Sequence, residues 1–525
     1  MEYTYIVWLW KGKCLRLDVL LFLNKIDMKT KIINILFFCC LGTHLMPAQN
    51  TSSGFVSFEV ASKVAENWMN AKGYDKTVDK TASFTNVEVK VGKSLTLYVF
   101  NFKEGGFAIV PATNLVIPVL AYNDKSIFNS DRRIDGAQHF LKAYNEAINI
   151  HNATGVAMEL ASEQWNTILT TSSIADCSGQ STLYPSLLEQ YGTSRWAGWT
   201  NIYNCVTPLA PLAPNASNFN DGIGGTCVPT ALSQICAFFR HPFVGVGTGT
   251  HTMAIGSAVG QTVSSDFATQ AFDYDRMPYA LQRQGPADGF GNSSSNDWLY
   301  YTDVCSDERN EVGFLTFNLG VAARMNWYSG GTYGSSANWA QDLVDHFDYV
   351  WNPSTDYVTT SSATLFKSRL RNSLDNERPV LAAGYNNGGG HCFLYTGYEC
   401  DNYFFASLGF GGNSDGFYYI FTTDANSEYL NTTYANSQNC ATNIRPNCDL
   451  PTYYQVPTNT YVNGTVTVEQ ALIDLTVAGA GNSVQLNSGS EAFFIGGNTV
   501  TLNAGTIVDL GAQLHVSIED CNGPN

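Results

Sequence analysis

A cysteine that opens a helix behind a glycine pair is placed to act as a nucleophile. Cys227 has that setting, in Gly224-Gly225-Thr226-Cys227-Val228-Pro229-Thr230-Ala231-Leu232-Ser233-Gln234-Ile235. Val228, Ala231, Leu232, Ile235, Phe238 and Phe239 recur at three- and four-residue spacing, an apolar stripe of helical period. Pro229 falls in the first turn, where a missing N–H costs little, and Pro242 stops the run. Unpaired N–H groups at a helix start carry partial positive charge, which stabilises a thiolate and lowers the thiol pKa below its free value of about 8.5. Only the thiolate is a good nucleophile. The glycines permit a sharp turn and a close approach to the sulfur. A buried helix-start cysteine would have the same local sequence, so the reading needs a partner.

His391 supplies one. Gly388-Gly389-Gly390-His391-Cys392-Phe393-Leu394-Tyr395 puts a histidine after a flexible loop, at the head of a run with strand composition. It lies far from Cys227 along the chain, so any pairing is spatial. A thiol nucleophile needs a base to take its proton and an acid to protonate the leaving amine, and imidazole does both near neutral pH.

These stretches resemble the streptopain family of secreted bacterial cysteine peptidases, which have a papain-like fold. Cys227, Val228, Thr230, Ala231, Gln234, Ile235 and Pro242 match the family's nucleophile segment. Phe272-Asp273-Tyr274 with Met277-Pro278 resembles a later element. Arg378-Pro379-Val380 through Gly390-His391-Cys392-Phe393-Leu394 to Gly397-Tyr398 resembles the histidine segment, and Gly409-Phe410-Gly411-Gly412 with Asp415-Gly416-Phe417-Tyr418 the stretch behind it. The resemblance implies that Cys227 is the nucleophile and His391 the base. Two departures stand out. Where the family has Asn-Trp, this chain has Ser407-Leu408, which makes Ser407 the candidate orienter of the imidazole. Where the family has an oxyanion-hole Gln, the alignment leaves either Asn201 or Trp199, each able to donate from its side chain. Gly225, Gly389, Gly390 and Leu408 are the candidate cleft residues.

The resemblance also implies an α+β architecture. A papain-like core is expected over 185–440, preceded by an inhibitory α+β propeptide over 52–170. The propeptide would act as an intramolecular inhibitor, and protein or peptide substrates are implied. The implied product is a secreted endopeptidase made as a zymogen. The departures define the alternative: a catalytically weak or inactive member that binds peptides or glycans. The implied chemistry uses no metal and no organic cofactor, and the chain contains no Cys-x-x-Cys pair of the kind zinc sites use.

The rest of the sequence is compatible with that reading. An apolar content of 44% with 14% charged residues gives a packed globular chain rather than a disordered one. A net charge of −17 argues against nucleic-acid binding. Met28-Lys29-Thr30-Lys31, the apolar run Ile32 to Leu41 and Ala48 form a secretory signal pattern, so 1–48 reads as a leader with Met28 as a candidate true start. The apolar run is too short for a stable membrane span. An extracellular or cell-surface location follows. Propeptide removal is expected in the polar stretch Ser172 to Ser181. Spacing alone allows a Cys440–Cys448 disulfide.

Element by element, Glu59 to Met69 reads as helix and Val87 to Val91, Leu95 to Phe100, Gly106 to Pro111 and Leu120 to Tyr122 as strands. Glu311 to Met325 reads as a second core helix, and strands dominate after Pro379. Residues 455–525 lack Lys and Arg. Alternating runs at Thr465 to Val468, Ser483 to Leu486, Thr499 to Leu502 and Gln513 to Ile518, punctuated by Asn and Gly, predict a small all-β extension of stacked short strands.

Overall fold

The computed structural model describes residues 54–171, 227–277, 307–421 and 438–518, apart from short breaks within these ranges, together with two short strands near the start. Those strands, β1 (Leu9–Trp10) and β2 (Lys13–Cys14), pair antiparallel in a first compact unit, Met1–Ser53. The second unit is Gly54–Asn525. The leader signal, the expected cleavage stretch, Asn201, Trp199 and Gly225 lie outside the described residues.

Helix α1 (Phe58–Ala71) starts where Ser57, in an extended conformation, accepts from the Val60 N–H. Its buried Ala61, Val64, Ala65, Trp68 and Met69 follow the three-four spacing of a single core-facing stripe. Strands β3 (Asn86–Val91), β4 (Ser94–Asn101), β5 (Phe107–Pro111) and β6 (Ala121–Asn123) follow as an antiparallel meander. Gly106, at φ +95°, turns the chain into β5; a Cβ there would sit 2.5 Å from the Asn123 carbonyl oxygen. Two helices come next, α2 (Asp135–Thr154) and α3 (Ala161–Thr171).

Helix α4 (Cys227–Phe239) is buried at every position after Cys227, so it runs through the core rather than over it. It ends in a Schellman arrangement. The His241 N–H returns to the Cys236 carbonyl at 3.0 Å and the Arg240 N–H to Ala237 at 3.3 Å, with Arg240 left-handed at φ +52°. Two hairpins, β7 (Thr248–Thr252) with β8 (Thr262–Asp266) and β9 (Met325–Tyr328) with β10 (Gly331–Gly334), flank α5 (Asp307–Ala322), which packs on α4. The helix expected over Glu311 to Met325 therefore begins and ends earlier, and Met325 opens a strand. Helix α6 (Trp339–His346), strand β11 (Tyr349–Val350), the one-turn α7 (Pro353–Asp356), strand β12 (Tyr357–Thr359) and α8 (Ala363–Asp375) lead into the strand-rich part.

That part comprises β13 (Val380–Asn386), β14 (Gly389–Glu399), β15 (Tyr403–Ser407), β16 (Gly416–Tyr419) and β17 (Asn439–Ala441), with β18 (Arg445–Pro446) pairing back to β11. They do not form a sheet of their own. The order β12-β17-β13-β14-β15-β16-β6-β5-β4-β3 makes one ten-stranded sheet in which every neighbouring pair is antiparallel. The join is β16 to β6, with Phe417 opposite Tyr122 and Tyr418 opposite Ala121. Phe140 of α2 lies on one face of this sheet, stacked 4.0 Å from Tyr418.

The last segment consists of nine strands: β19 (Tyr453–Val456), β20 (Asn459–Tyr461), β21 (Val466–Ala471), β22 (Asp474–Val477), β23 (Val484–Leu486), β24 (Glu491–Gly496), β25 (Thr499–Leu502), β26 (Thr506–Val508) and β27 (Gln513–Ile518). They stack in parallel as three sheets, β19-β22-β25, β20-β23-β26 and β21-β24-β27. Each strand thus pairs with its counterpart one coil on, which makes a short three-sided solenoid. Val456, Leu475, Val477, Val484, Leu486, Ala492 and Phe494 fill its own core.

Candidate active site

Cys227 is the first residue of α4 and is half-buried at the edge of the main core. It is a thiol rather than a disulfide, as are Cys236, Cys392 and Cys440. Cys400 and Cys448 are disulfide-bonded. The spacing-based pairing of Cys440 with Cys448 is therefore overturned. Cys440 is fully buried in β17, inside the sheet, where its Cα lies opposite Ala382.

His391 lies on β14, opposite Gly384 of β13. Helix α4 packs directly against this strand, so the elements carrying Cys227 and His391 are neighbours. Strand alternation puts His391 and Phe393 on one face and Cys392 on the other. The His391 and Phe393 rings are accordingly stacked, 6.1 Å between centroids. The Cys392 thiol is pushed well above its ordinary value, first by burial, with the neighbouring Cys227 and Cys440 thiols adding to the rise.

The imidazole has a defined acceptor. Its Nε2 lies 2.9 Å from the Leu408 carbonyl oxygen. A carbonyl only accepts, so Nε2 carries the proton and Nδ1 has the lone pair in the neutral ring. Leu408 is itself fixed, because its N–H donates to Asp415 Oδ1 at 2.8 Å. The Ser407 hydroxyl donates to the other Asp415 oxygen at 3.4 Å. Ser407, the sequence-based candidate for orienting the ring, thus sits one residue before the carbonyl that receives the ring proton. In the sequence Asp415 stands only as part of a glycine-rich stretch. Its link to His391 through Leu408 is a backbone relation that no side-chain spacing reveals.

Gly409, at φ +75°, turns the chain immediately after Leu408 and brings it against α4, where a Cβ would meet Thr230 Cγ2 at 3.4 Å. The loop that holds the imidazole acceptor therefore rests on the cysteine helix. Gly390 is exposed beside His391, and Leu408 is fully buried. Gly389 begins β14.

His391 is only 5% exposed. Burial pushes its pKa down to about 4, opposed in part by the hydrogen bond to Leu408. The ring is therefore neutral near pH 7 in this arrangement. On the same face, Phe140 of α2 packs edge-on against Phe393 at 5.7 Å. The helix from the N-terminal part thus reaches the residue stacked on His391.

Comparison with known proteins gives two matching regions. Residues 198–418 match the Peptidase C10 family, and residues 53–148 match the Spi protease inhibitor family. The chain is 23% identical over 341 residues to streptopain of Streptococcus pyogenes, covering 63% of this chain and 76% of that protein. It is 25% identical over 400 residues to the thiol protease/hemagglutinin PrtT of Porphyromonas gingivalis, covering 73% of this chain and 41% of that protein. Among solved structures it aligns with a mutant prointerpain A fragment from Prevotella intermedia at 20% identity and a TM-score of 0.49, covering 69% of this chain and 98% of the other. Active wild-type interpain A from the same organism aligns at 21% identity and a TM-score of 0.36, covering 51% and 97%.

Proposed function

We propose that this chain, a member of the streptopain family of papain-like cysteine peptidases, is a secreted endopeptidase made as a zymogen, with Cys227 as nucleophile and His391 as general base and acid. The observation that carries this reading is the packing of the helix opened by Cys227 against the strand that holds His391, inside the peptidase-like region.

In the proposed reaction the Cys227 thiol gives its proton to Nδ1 of His391 and the thiolate attacks the peptide carbonyl. The helix start supports the anion and the Cys227 N–H contributes to the oxyanion hole. Asn201 or Trp199 supplies the second donor. The imidazolium then protonates the leaving amine, and water hydrolyses the acyl-enzyme. The Leu408 carbonyl and Asp415 keep the ring upright throughout, with Ser407 bracing the carboxylate.

Residues 52–170 act as the inhibitor in this scheme. The match to a protease-inhibitor family supports that assignment, as does the contact of α2 with the His391 face. Burial of a neutral His391 also fits a latent state, because the neutral ring forms no ion pair with a thiolate. Protein substrates reach the site once this segment is cleaved from the core. The β-rich solenoid (Tyr453–Ile518) carries no part of this chemistry.

The test is covalent labelling of the processed, folded protein by the peptidyl epoxide E-64, with the adduct mapped by mass spectrometry. We expect one adduct on Cys227, and casein hydrolysis that disappears in Cys227→Ala. Folded, processed protein that takes no label and cleaves no casein would reject the assignment.

A further inference from the structure

Strand alternation in a solenoid sends every second side chain inward and leaves the others facing out. On the β19 strand the outward Tyr453 is 68% exposed. The β21-β24-β27 sheet departs from this pattern. Phe494 points into the solenoid core, so its neighbours Phe493 and Ile495 point outward. They are nevertheless only 5% and 1% exposed.

What covers them belongs to the chain that follows α4. Phe493 and Ile495, with Val466 and Val468 of β21, form a separate apolar cluster with Phe243, Val244 and Ala271. The Phe243 and Phe493 rings lie 5.3 Å apart. Phe243 is held in place from behind. Its carbonyl accepts from the Phe272 N–H at 2.7 Å, and the Tyr274 hydroxyl donates to the Pro242 carbonyl at 2.9 Å. This receiving surface therefore begins just past the end of the Cys227 helix.

The rim of the cluster is ionic. The His515 ring stacks on Phe493 at 4.4 Å, with planes 7° apart, and its Nε2 lies 3.0 Å from Glu491 Oε1. Asp273 and Asp275, on the receiving segment, add negative charge facing His515. Asp275 also takes the Arg240 guanidinium at 2.5 Å.

We infer that the C-terminal solenoid is a docked wall of the catalytic region, seated through the Phe493 face on the Phe243–Tyr274 segment, with His515 as an ionic lock at the seam. The occupant of this face is therefore the chain's own core, and the seat couples the solenoid to the end of the nucleophile helix. The inference stands whether or not the enzyme is active.

The lock has a definite pH sense. The hydrogen bond to Glu491 raises the His515 pKa, burial opposes it, and the charges of Glu491, Asp273 and Asp275 add to the rise. Glu491 belongs to the solenoid and acts on His515 whether or not it is docked, so the docking-dependent share of the rise comes from Asp273 and Asp275 across the seam, and that share stabilises the docked state while His515 is protonated. That contribution is lost as pH climbs through the raised value. Docking is therefore tighter at pH 6 than at pH 8.

Hydroxyl-radical footprinting of the full chain tests both parts, reading oxidation of the Phe243 and Phe493 rings. Ala271→Asp, which lies outside the solenoid, should raise Phe493 labelling at least fivefold. Phe493→Ser should raise Phe243 labelling similarly, while buried Phe494 stays protected. In the wild type, Phe493 labelling should be higher at pH 8 than at pH 6, and His515→Gln should abolish the difference. If Phe494 also becomes labelled in Phe493→Ser, the solenoid has unfolded and Ala271→Asp decides alone. Unchanged Phe493 labelling in Ala271→Asp would overturn the docking. A pH difference that survives in His515→Gln, or is absent in the wild type, would overturn the lock.

Discussion

At the scale of single residues, the imidazole depends on a backbone carbonyl, and that carbonyl depends on one carboxylate. Removing the carboxylate leaves the buried Leu408 N–H without its acceptor, a loss of about 1–3 kcal/mol that falls on the geometry of the ring. Asp415→Ala is expected to lower kcat by about tenfold to a hundredfold with KM little changed. Asp415→Asn keeps one acceptor oxygen and should recover part of the loss, whereas a purely structural defect would show as a lower Tm in both variants. A kcat within twofold of wild type in Asp415→Ala would remove Asp415 from the positioning chain. The pH behaviour of His391 is equally specific. A buried base with its pKa depressed to about 4 binds fewer protons folded than unfolded, so the closed environment is fully stable above about pH 6.5 and weakens as pH falls towards 4. The penalty grows by about 1.4 kcal/mol per pH unit across that window. Hydrogen–deuterium exchange at the His391 C2 position in unprocessed Cys227→Ala protein reads it directly, with slow exchange and a midpoint well below 6 as the expected result. A solvent-like rate with a midpoint near 6.5 would contradict it. The sequence made Cys227 and His391 visible because glycine, helix period and strand composition are local signals. Leu408 as the ring's acceptor was not visible, since a carbonyl has no sequence signature.

Among the elements, strands from the two parts expected over 52–170 and 185–440 share one sheet. The runs read from period and alternation coincide with α1, β3, β4, β5 and β6 to within a few residues. Which strand pairs with which is a long-range property that alternation cannot specify, and the β16–β6 join is of that kind. The join is reinforced at the far end of β14 from His391. There Lys72, at the end of α1, pairs with Glu399, and the Tyr122 hydroxyl donates to the same carboxylate. The Lys72 ammonium also lies 5.8 Å from the Trp68 ring and 5.2 Å from the Tyr122 ring. Breaking such a buried pair from one side costs roughly 3–5 kcal/mol, because it strands a charge. Glu399→Gln should therefore destabilise the full chain by about that amount in urea unfolding, and Lys72→Met combined with Glu399→Gln should cost less than the sum of the two single changes. Strict additivity would show that the pair does not couple. If the proposed zymogen reading holds, Glu399→Gln should also shorten the lag before activity appears, without changing kcat once processing is complete.

Within Gly54–Asn525, three recognisable sequence textures are joined by two seams, the β16–β6 pairing and the Phe243–Phe493 contact. The solenoid strands were legible because β-branched alternation punctuated by Asn and Gly recurs along the segment. The parallel coil was less so, because its closeness of stacking is carried by single glycines. Gly497 is the clearest: a Cβ there would lie 1.9 Å from the Leu472 carbonyl oxygen. Gly497→Ala is thus expected to cost about 1–3 kcal/mol and to lower the solenoid's unfolding transition in a thermal melt, with an unchanged transition as the contrary result. The docking seam itself was hidden, because Phe493 and Ile495 alternate like any strand pair and only the fold shows what lies over them.

In the proposed mechanism one sulfur and one imidazole act together once the inhibitor segment is gone. The most direct measurement is the rate of Cys227 alkylation by iodoacetamide across pH 4 to 9 in processed protein, compared between wild type and His391→Ala. Fast alkylation that persists below pH 7 is expected in the wild type, with a retreat towards the pH profile of an ordinary thiol in His391→Ala. Superimposable profiles for the two proteins, both folded, would show that the histidine does not serve the cysteine.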